Sequence, residues 1–185
     1  MVGTIDQFRA QLIGGGARPN QFKVEINSPV GIATGLPTEN AAFLCKASQL
    51  PSMTIGEIAL PFRGRKVYIA GDREFPDTWT TTFMNDTNFL IRNALERWNN
   101  GINDLVTGTG VVVSADYQAD LKVSQLDRDD NVLKVYIFRN AWPVAISTIE
   151  LSTETTNTIE EFGCTWRYQH FEVSEVTPGI AAVAG

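Results

Sequence analysis

Histidine occurs once in these 185 residues and cysteine twice, so there is little material for a metal centre or a nucleophile-base pair. The histidine, His170, ends an alternating set of Phe162, Cys164, Trp166 and Tyr168, which points it inward or to the end of a sheet. Cys164 on the same run would stand roughly 20 Å away at ~3.3 Å per residue, far beyond the reach of a hydrogen bond. Cys45 remains as a partner, but a structural histidine is the expectation. Both cysteines sit in apolar, strand-like runs far apart in sequence, which suits buried free thiols in a reducing compartment better than a disulfide or metal site. Positive charge is also scarce: 15 Lys and Arg stand against 21 Asp and Glu, for a net charge of -6. Nucleic acid and anionic membranes are gripped by clustered cations that release counterions, so membrane binding is excluded and contact with DNA should be weak. Long apolar runs are missing too. The opening "MVGTIDQFRAQLIGGG" is too broken by polar residues for a signal peptide or membrane span, and the chain is expected to be made and kept in cytoplasm.

Other motifs fail on position. Phosphate cradles need glycine N–H groups that open a helix. Gly14 to Gly16 follow a predicted helix, Gly108 and Gly110 lead into "VVV", and Gly71 leads through Asp72-Arg73 into a Thr-rich strand. In "DRDDNV", Asp127, Asp129 and Asn131 mimic the start of a calcium loop. Val132 then stands where glycine is required and Phe138 where a bidentate Glu belongs, so a hairpin turn fits better. Glu160 and Glu161 alternate faces of a strand and cannot converge on one substrate atom. Trp79, Trp98, Trp142 and Trp166 lie among apolar neighbours and read as core or interface. The sequence thus offers no catalytic, cofactor or metal site.

What is present is mostly β pattern. Thr4 and Gln7 form a capping box, with Ile5, Phe8 and Leu12 on one face of a short leading helix. From Gln21 the period changes to two, and strands are predicted at 21–27, 41–49, 53–61, 66–70, 78–84, 117–126, 132–141, 144–151 and 159–173. One helix interrupts them in "NDTNFLIRNALERWNNG": Asp86 or Thr87 caps it, Ile91, Ala94, Leu95 and Trp98 line a face, and Gly101 marks its stop. The expected fold is mainly β, an antiparallel barrel or sandwich with one flanking helix and a short N-terminal helix. It forms a single domain, with 1–16 as an N-terminal arm and 177–185 as a mobile tail.

In order, "ARPNQFKVEI", "FLCKASQLP", "RKVYIAGDREFPDTWTTTFMND", "ALERWNNGIN", "AWPVAISTIELS" and "EEFGCTWRYQHFEV" carry a specific signal over roughly residues 17 to 175. Taken together they resemble the tail tube protein of contractile-tailed bacteriophages of the T-even type. The resemblance implies a tail-tube fold whose copies form hexameric rings that stack into the inner tube of the virion, assembled in the host cytoplasm. The implied partners are the chain itself, a sheath protein, a baseplate and a tape-measure protein, with viral DNA passing unbound through the lumen. Six copies would carry about -36 charges, and if part of that faces the lumen, passing DNA is repelled and not held. A type VI secretion-like tube protein is the near alternative, and a small-ligand-binding β-barrel the distant one. Two segments depart from the family pattern: the long connection 28–41 and the final "TPGIAAVAG", either of which would decorate the outer surface or touch the next ring.

The stretch "GRKVYIAGDREFPDTW" bears the strongest signature. Residues 51–73 are expected to form a hairpin-like extension that reaches an adjacent subunit or ring. A turn at Gly71-Asp72 is expected to link strands 66–70 and 78–84, with Asp72 and Arg73 capping it or pairing with a neighbour. The expected self-assembly interface is Arg63, Arg65, Lys66, Asp72, Arg73 and Phe75.

Overall fold

In the computed structural model, residues 4–12, 16–76 and 78–175 are described. In chain order the elements are α1 (Ile5–Gln11), β1 (Phe22–Ile26), α2 (Thr38–Leu44), β2 (Cys45–Ser48), β3 (Thr54–Phe62), β4 (Arg65–Glu74) and β5 (Thr78–Met84). There follow α3 (Leu90–Ile102), α4 (Ser114–Tyr117), β6 (Ala119–Leu126), β7 (Val132–Ile146), β8 (Glu161–Arg167) and β9 (His170–Glu175). The capping box forms as the sequence implies: Gln7 N–H donates to Thr4 Oγ1 at 3.3 Å and Thr4 N–H to Gln7 Oε1 at 3.1 Å. Ile5, Phe8 and Leu12 remain exposed. The glycine stop at 14–15 and the tail 177–185 lie outside the described residues.

The sheet is organised by one long strand. The order is β1-β6-β7-β8-β5-β2, with β9 also on β7, and every pairing is antiparallel. The first part of β7, Lys134 to Arg139, lies between β6 and β9, whereas Trp142 to Ile146 pairs with β8. Between these parts Asn140 takes a left-handed φ of +55°, and its N–H donates to Asp120 Oδ1 at 3.1 Å. A polar residue in that conformation bends the strand without ending it, so the expected strand 132–141 and the start of that expected at 144–151 are one, which ends at Ile146. The reverse holds for 159–173. That run is two strands, because the chain breaks pairing at Tyr168 and Gln169 and moves from the β8 position to the β9 position. The inward parity stops at buried Tyr168 and resumes with Phe171, which leaves His170 exposed, 3.6 Å from Glu172. An inward His170 is thereby corrected. The strand expected at 41–49 is also shorter: Thr38–Leu44 is helical and only Cys45–Ser48 joins β5.

Aromatic packing fills the space between the layers. Trp79 stacks on Phe138 with ring centroids 4.4 Å apart, and Trp166 meets Trp98 edge-on at 5.6 Å. Each buried indole N–H finds an acceptor: Trp79 on Gln49 O at 2.8 Å, Trp98 on Tyr117 O at 2.7 Å and Trp166 on Thr81 Oγ1 at 2.9 Å. Helix α3 buries the four expected residues, Ile91, Ala94, Leu95 and Trp98. Asp86 Oδ1 accepts the Leu90 N–H at 2.9 Å, which satisfies one of the free donors at the helix start. Gly101 does not stop this helix. It lies inside it because a Cβ there would meet Ile32 Cγ2 at 2.7 Å. The partner in that contact belongs to the long 28–41 connection, which turns Ile32, Thr34 and Leu36 into the body. Gly31 N–H anchors the same segment to Asp116 O at 2.8 Å, so it is tied down, with Val30 left outside.

Cys45 and Cys164 are buried free thiols, as their apolar neighbours imply. Burial pushes the Cys45 thiol up to about 12 and raises that of Cys164 as well. A thiolate is the reactive form. Neither cysteine is therefore expected to react with an aromatic disulfide reagent at neutral pH until denaturant is added, when two equivalents should be released; fast reaction of the native chain would contradict this packing.

Candidate self-assembly surface

Strands β3 and β4 form a two-stranded sheet of their own, outside the main sheet. Phe62 pairs with Arg65, so only Arg63 and Gly64 make the turn, at φ +46° and +82°. Two consecutive positive φ values match the right-handed twist of a hairpin, and glycine accepts the second without strain. The ladder runs Phe62↔Arg65, Leu60↔Val67 and Ile58↔Ile69 on one face, and Pro61↔Lys66, Ala59↔Tyr68 and Glu57↔Ala70 on the other. Towards the base the register shifts between Ile55 and Glu57, because β4 holds one more residue there than β3. Gly71 sits at this bulge, where a Cβ would press on Gly56 O at 3.1 Å.

This arrangement overturns the expected turn at Gly71-Asp72. Strand β4 continues through both residues to Glu74, and its partner is β3, not 78–84. The Arg63-Gly64 dipeptide between two apolar runs was the local signal for the actual turn. The six expected interface residues accordingly fall into two groups. Arg63, Arg65 and Lys66 are at the tip, with the Arg63 guanidinium 5.4 Å from the Phe62 ring centroid. Arg73 and Asp72 are at the base, about 25 Å from Arg65 along the strand at ~3.3 Å per residue. Phe75 lies just beyond, edge-on to Phe171 at 6.4 Å, and joins the base of the hairpin to the body.

Between those groups lies an apolar surface that the six residues did not include. Ile55, Ile58, Leu60, Phe62, Val67, Tyr68 and Ile69 are all between 47% and 61% exposed. A soluble monomer rarely shows so much contiguous apolar side chain unless it meets a partner. A lone two-stranded hairpin is moreover only marginally stable in water.

Polar groups elsewhere have structural duties. Asp104 accepts from the N–H groups of Val106 and Thr107, from the Thr107 hydroxyl and from Asn100, and these donors hold its carboxyl down to about 2. Asp127 closes the β6–β7 turn by accepting the N–H groups of Asp129 and Asn131, each at 2.8 Å, in place of any calcium loop. Arg139 joins Asp120 at 2.5 Å and Glu172 at 2.7 Å on the outer side of β6, β7 and β9. Among the described residues no three His, Cys, Asp or Glu side chains come together as metal ligands, and no helix is long and apolar enough to cross a membrane.

The family model described as "Phage tail tube protein" matches residues 17–174. The chain is 33% identical over 172 residues to the tail tube protein of Enterobacteria phage T4, covering 90% of this chain and 98% of that protein. It is 29% identical over 169 residues to the tail tube protein of Serratia phage KSP90, covering 90% and 95%. Among solved structures, a chain of the sheath-tube complex of an extracellular contractile injection system in its extended state has a TM-score of 0.59. That alignment spans 95% of this chain and all of the other at 13% identity, a likeness of fold alone.

Proposed function

Because the chain belongs to the phage tail tube protein family, whose members are structural virion components and not enzymes, we propose that six copies close into a ring and that rings stack into the inner tube of a contractile tail. The hairpin carries this reading. It is a long, two-stranded projection with apolar residues on both faces, and it gains burial only when other copies cover it. Among the described residues β1, β2 and β9 pair on one side only, which adds to this, since open strand edges are an aggregation hazard that ordered assembly removes. A sheath outside the tube, a baseplate below it and a tape-measure protein within are the partners of such an assembly. Viral DNA passes through without specific contact, and the net charge of -6 per copy disfavours its retention. A ligand-binding barrel would need an enclosed apolar cavity where Trp79, Phe138, Trp98 and Trp166 pack against one another here.

Electron microscopy of the negatively stained, purified chain tests the proposal. Six-membered rings or tubes are the expected result. A chain that stayed monomeric at high concentration, even beside a baseplate or other nucleating complex, would overturn it.

A further inference from the structure

The segment between β7 and β8 lines a surface groove of about 300 Å³. Its walls include Ile149, Glu150, Leu151, Ile159 and Glu160, with Leu151 81% and Ile159 66% exposed. Residues 147–161 contain four glutamates and no Lys or Arg. Glu160 and Glu161 are engaged, by Asn85 and Lys46. Glu150 and Glu154 have no ion-pair partner among the described residues. The hairpin tip has the opposite character: Arg63 and Arg65 flank exposed Phe62, Lys66 stands on the other face of the same tip, no acidic residue occurs from 58 to 71, and these three cations also lack ion-pair partners among the described residues. A largely polar groove that carries two exposed apolar side chains, Leu151 and Ile159, and the carboxylate of Glu150, with Glu154 beside it in the chain, thus matches a tip with one aromatic ring and three cations, in charge above all.

The exposure of Phe62, Leu151 and Ile159 shows that tip and groove do not cover each other within one chain. We infer that the hairpin tip of one copy docks into the 149–161 groove of another, with Phe62 against Leu151 and Ile159 and with Arg65 and Lys66 facing Glu150 and Glu154. This rests on the self-assembly reading above and names the two surfaces that meet. They are different patches, so the contact is head-to-tail: it leaves a free tip and a free groove at each step and propagates into a ring or a stack.

Charge exchange tests the contact. The tip variant Arg65→Glu/Lys66→Glu and the groove variant Glu150→Lys/Glu154→Lys should each keep the wild-type circular dichroism spectrum, since all four side chains are exposed, yet lose rings and tubes. The chain carrying all four changes should recover assembly, because opposite charges face each other again. In a second measurement, chains with Lys66→Cys are mixed with chains bearing Thr155→Cys under mild oxidation. A disulfide between the two kinds of chain is expected, and the buried native thiols do not compete. A groove variant that assembles like wild type, or a four-change chain that stays unassembled with no such disulfide, overturns the contact while leaving self-assembly intact. A wild-type chain without rings or tubes would instead overturn the self-assembly reading, and this contact with it.

Discussion

Excising residues 54–74 and joining Met53 to Phe75 through a short Gly-Ser linker is expected to abolish ring and tube formation while the body stays folded. The ends to be joined are already close. Thr54 pairs with Glu74 across the base of the hairpin, and paired Cα atoms in an antiparallel ladder lie about 5 Å apart. The body loses almost nothing, since the side chains of β3 and β4 are exposed or half-exposed along their whole length and none belongs to the buried core. Phe75 stays in place against Phe171. Assembly loses much more. Burial of the seven exposed apolar side chains stabilises an interface by roughly 25 cal/mol per Å² covered, and a standard interface has only about 800 Å² on each partner with which to offset the entropy of association. Size-exclusion chromatography and microscopy would report the loss, and an unchanged thermal transition would report the intact body. Normal tubes from the excised chain would show that the hairpin is dispensable.

Trp166→Ala is expected to cost the fold about 3–5 kcal/mol, the range for removing a large aromatic side chain from a packed core. Trp166 is fully buried, sits between Trp98 and Trp79, and donates its indole N–H to the buried Thr81 hydroxyl. Alanine leaves a cavity in which all three neighbours lose contacts, and it strips Thr81 Oγ1 of its donor. Set against a typical total of about 5–15 kcal/mol, this brings the chain near unfolding. Denaturant titration of the unassembled protein measures the change, and a loss below about 1 kcal/mol would mean that the three-tryptophan cluster is not central to the core. The two predictions separate cleanly: the first removes assembly and spares the fold, the second removes the fold itself.

How far the sequence reaches can be judged residue by residue. Period-two alternation marked β1, β5, β6 and β8 because each has one face in the core and one outside, so polarity alone records the geometry. The helical face of Ile91, Ala94, Leu95 and Trp98 was legible for the same reason. Alternation was blind where the chain changes sheets. Asn140 and Pro143 look like punctuation, yet β7 bends through them, whereas the smooth run 159–173 hides a break at Gln169, because neither event alters which residues are apolar. In the projecting hairpin both faces are exposed and both carry apolar residues, so the pattern held no record of register, and the turn was expected at Gly71-Asp72 in place of Arg63-Gly64.

By itself, then, the amino-acid order determined a β-rich chain with one amphipathic helix and buried thiols, and the kinship with tail tube proteins that the comparisons bear out, because these follow from side-chain polarity, spacing and short motifs. Tertiary structure alone decided that β7 serves two layers, that the hairpin expected over 51–73 turns at Arg63-Gly64 and pairs β3 with β4 as far as Glu74, and that a basic aromatic tip and an acidic groove are both left open to solvent. Those features depend on which distant segments compete for the same burial, and that competition is settled only when the whole chain has packed.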